Sequence, residues 1–136
     1  MAALDTNILV RWLVNDDAPQ CTRVSGLLAA TVANGERLFV TIAVMLELEW
    51  VLRSRYGFNP SVVTTALDAL LSTAELEFQD GPALEQALWF FKQAGSPDFA
   101  DCLHVALTAK AGHEPFLTFD RRAANLAGAV LLDTAS

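Results

Sequence analysis

The sequence predicts an α/β domain built on a mostly parallel sheet. Two observations carry that reading. Short apolar runs alternate with helical segments along the chain, with cap or turn residues at their junctions. Acidic residues fall just past several strand ends, the side of an open α/β sheet where ligands bind.

The first strand spans about 2–5 in "MAALDTNILV" and stops at Asp5. Helices follow over about 7–14 and 17–33. The turn signal "ANGE" introduces a second strand, "RLFVT" (37–41), and a helix over about 43–56 that Gly57 ends as the residue after the C-cap. Asn59 as N-cap and Pro60 at the first helical position restart the helix, to about 72. "LEF" (76–78) is a third strand, "GPALEQALWFFKQAG" a helix ended by Gly95, and 99–111 a helix ended by Gly112. "PFLTF" (115–119), a short helix near Arg121 and a last strand, "AVLLD" (129–133), complete the pattern.

No repeat, linker or low-complexity tract interrupts these 136 residues, so residues 1–136 are expected to form a single domain with a proper core. Hydrophobic residues make up 53% of the chain, which suggests either a tightly packed parallel sheet or an apolar surface kept for a partner. No apolar stretch is long enough to span a bilayer, and Glu47 and Glu49 break the most apolar region. The N-terminus carries no basic segment ahead of an apolar one, so no signal peptide is read, and a cytoplasmic location is expected. Cys21 and Cys102 lack ligand spacing and read as small core residues of a reduced protein. The net charge of −7, taken alone, argues against a nonspecific phosphate binder.

Five of the 16 acidic residues stand at element junctions: Asp5, Glu47, Asp98, Asp101 and Asp120. Helix capping is the plainer account of Asp5, Asp98, Asp101 and Asp120. It does not account for a glutamate inside a helix as apolar as "IAVMLELEWVL". Glu47 and Glu49 compete for that position, about 200° apart on the helical wheel, and periodicity favours Glu47 only slightly. Carboxylates that converge repel one another unless a cation balances them. An all-oxygen donor set suits Mg²⁺ or Mn²⁺. Neither His104 nor His113 stands at a zinc-ligand spacing with a cysteine.

The segments "LDTNILV", "VTIAVMLELEWVLRSRYG", "PDFADCLHVALTAKAG" and "FLTFDRRAANLAG" resemble the PIN-domain ribonucleases. More narrowly, they resemble the VapC toxins of VapBC toxin–antitoxin pairs. The resemblance covers nearly the whole chain in order. It implies a PIN-like three-layer α/β/α fold with a five-stranded parallel sheet in the order 3-2-1-4-5. It also implies a Mg²⁺-dependent endoribonuclease whose acidic quartet maps onto Asp5, Glu47, Asp101 and Asp120, which favours Glu47 over Glu49. Those four residues would be catalytic and metal-binding, with Asp98 an additional acid. Thr6 and Asn7 match the "DTN" motif and Thr118 a hydroxyl residue near the fourth acid, both supporting the ligands.

The resemblance further implies an RNA substrate, a homodimer and a VapB-like antitoxin seated on an apolar groove. Trp12, Leu13, Leu27 and Trp50 are candidates for that groove. Arg11, Lys110, Arg121 and Arg122 are candidate phosphate contacts, few enough to give RNA binding a shallow salt dependence. Arg53 and Arg55 are expected to complement the C-terminus of their helix. A stand-alone RNA-processing PIN nuclease and a non-catalytic RNA- or protein-binding module are the competing readings.

Overall fold

A computed structural model describes residues 1–132; residue 133 of the predicted last strand lies outside them. The chain divides into two compact units, Met1–Gly81 and Pro82–Ser136.

In the first unit, α1 (Thr6–Leu13), α2 (Ala18–Ala33), α3 (Ile42–Ser54) and α4 (Pro60–Leu71) surround two parallel strands, β1 (Leu38–Val40) and β2 (Leu76–Phe78). Leu38 pairs with Leu76 and Val40 with Phe78. The predicted first strand is reduced to one parallel bridge, Ala3 to Phe39, with Leu4 N–H donating to the Phe39 carbonyl at 2.9 Å. Asp5 is the reason: as the N-cap of α1 it turns the chain into helix two residues after the bridge. The lateral order in this unit is therefore β2, β1, then the Ala3 segment, the 3-2-1 half of the expected order.

Each helix of this unit starts on a side-chain cap. Asp17 accepts from Gln20 N–H at 3.1 Å, Thr41 from Val44 N–H at 3.2 Å and Asn59 from Val62 N–H at 3.0 Å. The last follows the predicted Asn59–Pro60 start. Leu9, Val40, Met45, Leu48, Leu52 and Leu67 are fully enclosed.

The second unit holds α5 (Gly81–Phe91), α6 (Phe99–Ala111) and the parallel pair β3 (Phe116–Thr118) and β4 (Ala129–Leu131). These strands are the 4-5 half of the expected order. The described elements form two two-stranded sheets rather than the single five-stranded sheet expected. Helix α5 stops at Phe91, four residues short of Gly95, and the Ser96 hydroxyl donates to the Phe91 carbonyl at 2.8 Å. Gly112 ends α6 in the left-handed region, φ 78°, as its sequence position predicts. The predicted short helix near Arg121 is a 3₁₀ turn, Ala123–Asn125. Phe99, Cys102, Leu103, Val105 and Ala123 form the core here. No described helix is long and apolar enough to cross a membrane.

Candidate active site

The predicted acids fall into two groups, one in each unit. In the first, Asp5 is exposed at the head of α1 and its carboxylate accepts from Thr6 N–H at 2.7 Å. The cap and the strand end are thus the same residue. Thr6 is buried, and its hydroxyl donates to Glu47 Oε1. One threonine therefore ties both acids, with its N–H on Asp5 and its O–H on Glu47. Helix α1 packs against α3, which brings the two within reach. A hollow of about 340 Å³ opens over Asp5, Thr6, Asn7 and Glu47, and Arg11, Trp50, Arg55 and Tyr56 complete its wall.

Of the two glutamates that compete on α3, the buried one is Glu49. Glu47 is exposed, whereas Glu49 is 3% exposed. Glu49 lies on the core-facing stripe of α3 with Met45, Leu48 and Leu52. Burial of a lone carboxylate is costly, and Arg53, one turn on, meets it with Nε at 2.8 Å. Glu49 is consumed by a structural ion pair, and Glu47 remains as the acid open to solvent. Arg53 stands in the last turn of α3, as expected, and also pairs with Glu49, while Arg55 lies over the Trp50 ring, 5.8 Å from its centroid. The i,i+4 spacing of Glu49 and Arg53 was the sequence signal for the pair.

Arg11, a candidate phosphate contact, is already engaged. It bonds Asp16 at 2.9 Å, the Tyr56 hydroxyl at 3.1 Å and the Gln20 side chain. The Tyr56 hydrogen bond, reinforced by the charges of Asp16 and Asp17, holds its pKa above the ordinary guanidinium value.

In the second unit, Asp98 occupies the N-cap of α6 but makes no capping bond, so the expected cap leaves its carboxylate exposed. Asp101 sits in the first turn, half-buried. Asp120 follows β3, and its Oδ1 accepts from Ala123 N–H at 2.9 Å. Its own N–H donates to the Thr118 hydroxyl at 3.0 Å, so Thr118 supports the fourth acid through the backbone. Asp101 has a raised pKa: burial is the largest cause, the charges of Asp120 and Asp98 add to it, and His104 opposes it. Ionising Asp101 is therefore opposed.

Of the remaining candidates, Arg121 and Arg122 are exposed immediately after Asp120. Lys110 stands in the last turn of α6, about 14 Å along the axis from Asp101. His104 stacks on Phe116 with centroids 5.8 Å apart, and His113 is exposed.

No three His, Cys, Asp or Glu side chains among the described residues are gathered closely enough to hold a metal ion as they stand. The donor chemistry still fits Mg²⁺. That ion keeps several waters and takes only one or two direct carboxylates. The like-charge strain on Asp101 is what a cation relieves.

The proposed antitoxin-groove residues separate. Leu27 lines an apolar hollow of about 300 Å³ between α1 and α2, with Ile8 and Val24. Trp12 lines a neighbouring hollow of about 360 Å³ whose wall is mixed polar and apolar, and Trp50 belongs with the acids.

The chain is 25% identical over 123 residues to a VapC ribonuclease of Aquifex aeolicus, covering 90% of this chain and 89% of that protein. A solved structure of the sarcin–ricin-loop-cleaving toxin VapC20 of Mycobacterium tuberculosis aligns at 21% identity and a TM-score of 0.42, covering 91% of this chain and 93% of the other. The family model of the PIN domain matches residues 2–129, nearly the full length, and the chain belongs to the PIN-domain family.

Proposed function

We propose that this PIN domain is a VapC-type endoribonuclease toxin that hydrolyses RNA phosphodiester bonds with Mg²⁺ or Mn²⁺. The observation that carries the reading is the family match across residues 2–129, which takes in Asp5, Glu47, Asp101 and Asp120 in order. Those four acids would hold the cation, with Asp98 as an additional acid. A bound divalent ion supplies charge neutralisation at the phosphate and lowers the pKa of water.

The chain's own residues supply position. Thr6 fixes Asp5 through its N–H and Glu47 through its hydroxyl. Thr118 and Ala123 fix Asp120. Asn7 lines the same hollow as Asp5. Water attacks phosphorus in line, its oxygen forms the new P–O bond as the bond to the 3′ oxygen breaks, and the proton that water gives up ends on that oxygen, so the products carry a 5′-phosphate and a 3′-hydroxyl. Arg121 and Arg122 are the best-placed phosphate contacts. Arg11 is engaged by Asp16 and Tyr56, and Lys110 lies at the far end of α6 from Asp101.

The toxin reading brings partners with it: a VapB-like antitoxin, for which the apolar hollow of Ile8, Val24 and Leu27 is the proposed seat, and a second copy of the chain in a cytoplasmic homodimer. The deciding experiment is cleavage of a panel of structured RNAs by the wild type with Mg²⁺ and with EDTA, and by Asp5→Asn with Mg²⁺. Cleavage should require both Mg²⁺ and Asp5. An Asp5→Asn protein that cuts as well as the wild type refutes the assignment. Growth arrest on induction, relieved by a co-expressed neighbouring gene product, separates the toxin from a stand-alone RNA-processing nuclease.

A further inference from the structure

The hollow over Asp5 and Glu47 has a wall that the hydrolysis itself does not use. Trp50 follows Glu47 by three residues, so the two share a face of α3. That face is not the core-facing stripe, and Trp50 is 47% exposed. What sets Trp50 apart from other exposed apolar side chains is its place in the wall of a polar hollow, beside Asp5 and Glu47. Arg55 lies over the ring at 5.8 Å and has no carboxylate partner among the described residues. The other two large polar groups of the wall, Arg11 and Tyr56, are bonded to each other and to Asp16.

The overall charge adds a second consideration. At −7 the chain gains little from general attraction to phosphate, so RNA affinity has to come from contacts that do not depend on net charge. Aromatic stacking is such a contact, because every base has a π-face. An arginine beside the ring adds a single local phosphate partner.

We infer that Trp50 and Arg55 form a platform for one unpaired nucleotide of the substrate, with the base on the indole and its phosphate on the guanidinium, beside Asp5 and Glu47. This rests on the nuclease reading for its substrate class. It makes Trp50 a positioning residue that selects unpaired over paired RNA at that position.

The test is binding of a short unstructured oligoribonucleotide of mixed sequence, measured in EDTA so that the RNA stays intact. Cleavage of the same RNA in Mg²⁺ is followed separately. Trp50→Leu keeps apolar bulk and removes the π-face, and should weaken binding about 5- to 150-fold. Trp50→Phe should recover most of that loss. Arg55→Ala should weaken binding and lower the log–log salt slope by about one. A duplex of the same sequence should bind all four proteins alike. Trp50→Leu binding the single strand as the wild type does overturns the platform. So does a Trp50→Leu protein impaired only in binding an antitoxin, since that makes the face a protein contact. A wild type that binds the single strand through Trp50 but never cuts it upholds the platform and refutes the nuclease.

Discussion

The two units hold their acids in opposite ways. In the first, Asp5 and Glu47 are stitched together by Thr6, so their charges are directed and partly satisfied by hydrogen bonds. In the second, Asp98 has no capping bond and Asp101 is opposed by burial and by the charges of Asp120 and Asp98. The first unit supplies preorganised geometry, and the second supplies unrelieved negative charge. This division makes the two groups experimentally separable.

The largest expected effect is at Asp101. Asp101→Asn should reduce cleavage by more than about 100-fold, beyond the loss typical of groups that only support a ligand. The same change should stabilise the metal-free protein at neutral pH. The sign follows from the raised folded-state pKa. A carboxyl with a raised value contributes stability below its unfolded value, 3.8 here, and loses it as pH rises through the folded value. The asparagine stays neutral and escapes that loss. Melting curves in EDTA should therefore show the variant gaining on the wild type as pH rises and converging with it in acid. An equal difference at all pH values would mean that packing, not charge, distinguishes the two proteins.

Thr6→Val tests the stitched group. It keeps the backbone bond to Asp5 and removes the hydroxyl that Glu47 accepts. A supporting hydrogen bond of this kind is worth about 10- to 100-fold in metal affinity or activity. Mg²⁺ titration of the cleavage rate should show the loss mainly as a higher metal requirement. A rate that falls without any change in that requirement would detach Glu47 from the cation.

Much of this was legible in the sequence, for local reasons. Asn59–Pro60 and Gly112 mark helix ends through backbone chemistry that needs no tertiary partner. The parallel pairings within each unit followed from alternating strands and helices. Strand length was less legible. The first strand looked like four residues because apolar content does not reveal how soon after the Ala3–Phe39 bridge the cap at Asp5 turns the chain into helix. Which glutamate of α3 is buried was hardly legible, because α3 is apolar over most of its surface and periodicity gives a weak contrast between Glu47 and Glu49. The stacking of Arg55 on Trp50 was hidden, since five-residue spacing is not a usual helical pairing.

The Glu49–Arg53 pair gives a prediction in which stability moves and activity does not. Arg53→Ala leaves a buried carboxylate without this partner. The arginine is itself substantially exposed, so the cost is smaller than for a fully enclosed pair, about 2 kcal/mol. Chemical denaturation should show that loss, with cleavage per folded molecule unchanged. A cleavage defect at full occupancy of the fold would place Glu49, not Glu47, in the catalytic group.

The smallest effect is expected at Thr118, and it sharpens the contrast between the two units. Thr6 and Thr118 are both threonines beside an acid, and sequence alone gives them equal standing. Thr6 reaches a carboxylate oxygen, so its loss frees the ligand itself. Thr118 accepts only the backbone N–H of Asp120, whose carboxylate keeps its separate bond from Ala123. Thr118→Val should therefore cost less than about 10-fold in cleavage, below the range for a group that holds a ligand directly. The two valine variants, assayed side by side across Mg²⁺ concentrations, decide the matter. A Thr118→Val defect as large as that of Thr6→Val would mean that the Asp120 backbone, and not only its carboxylate, must be fixed for the chemistry.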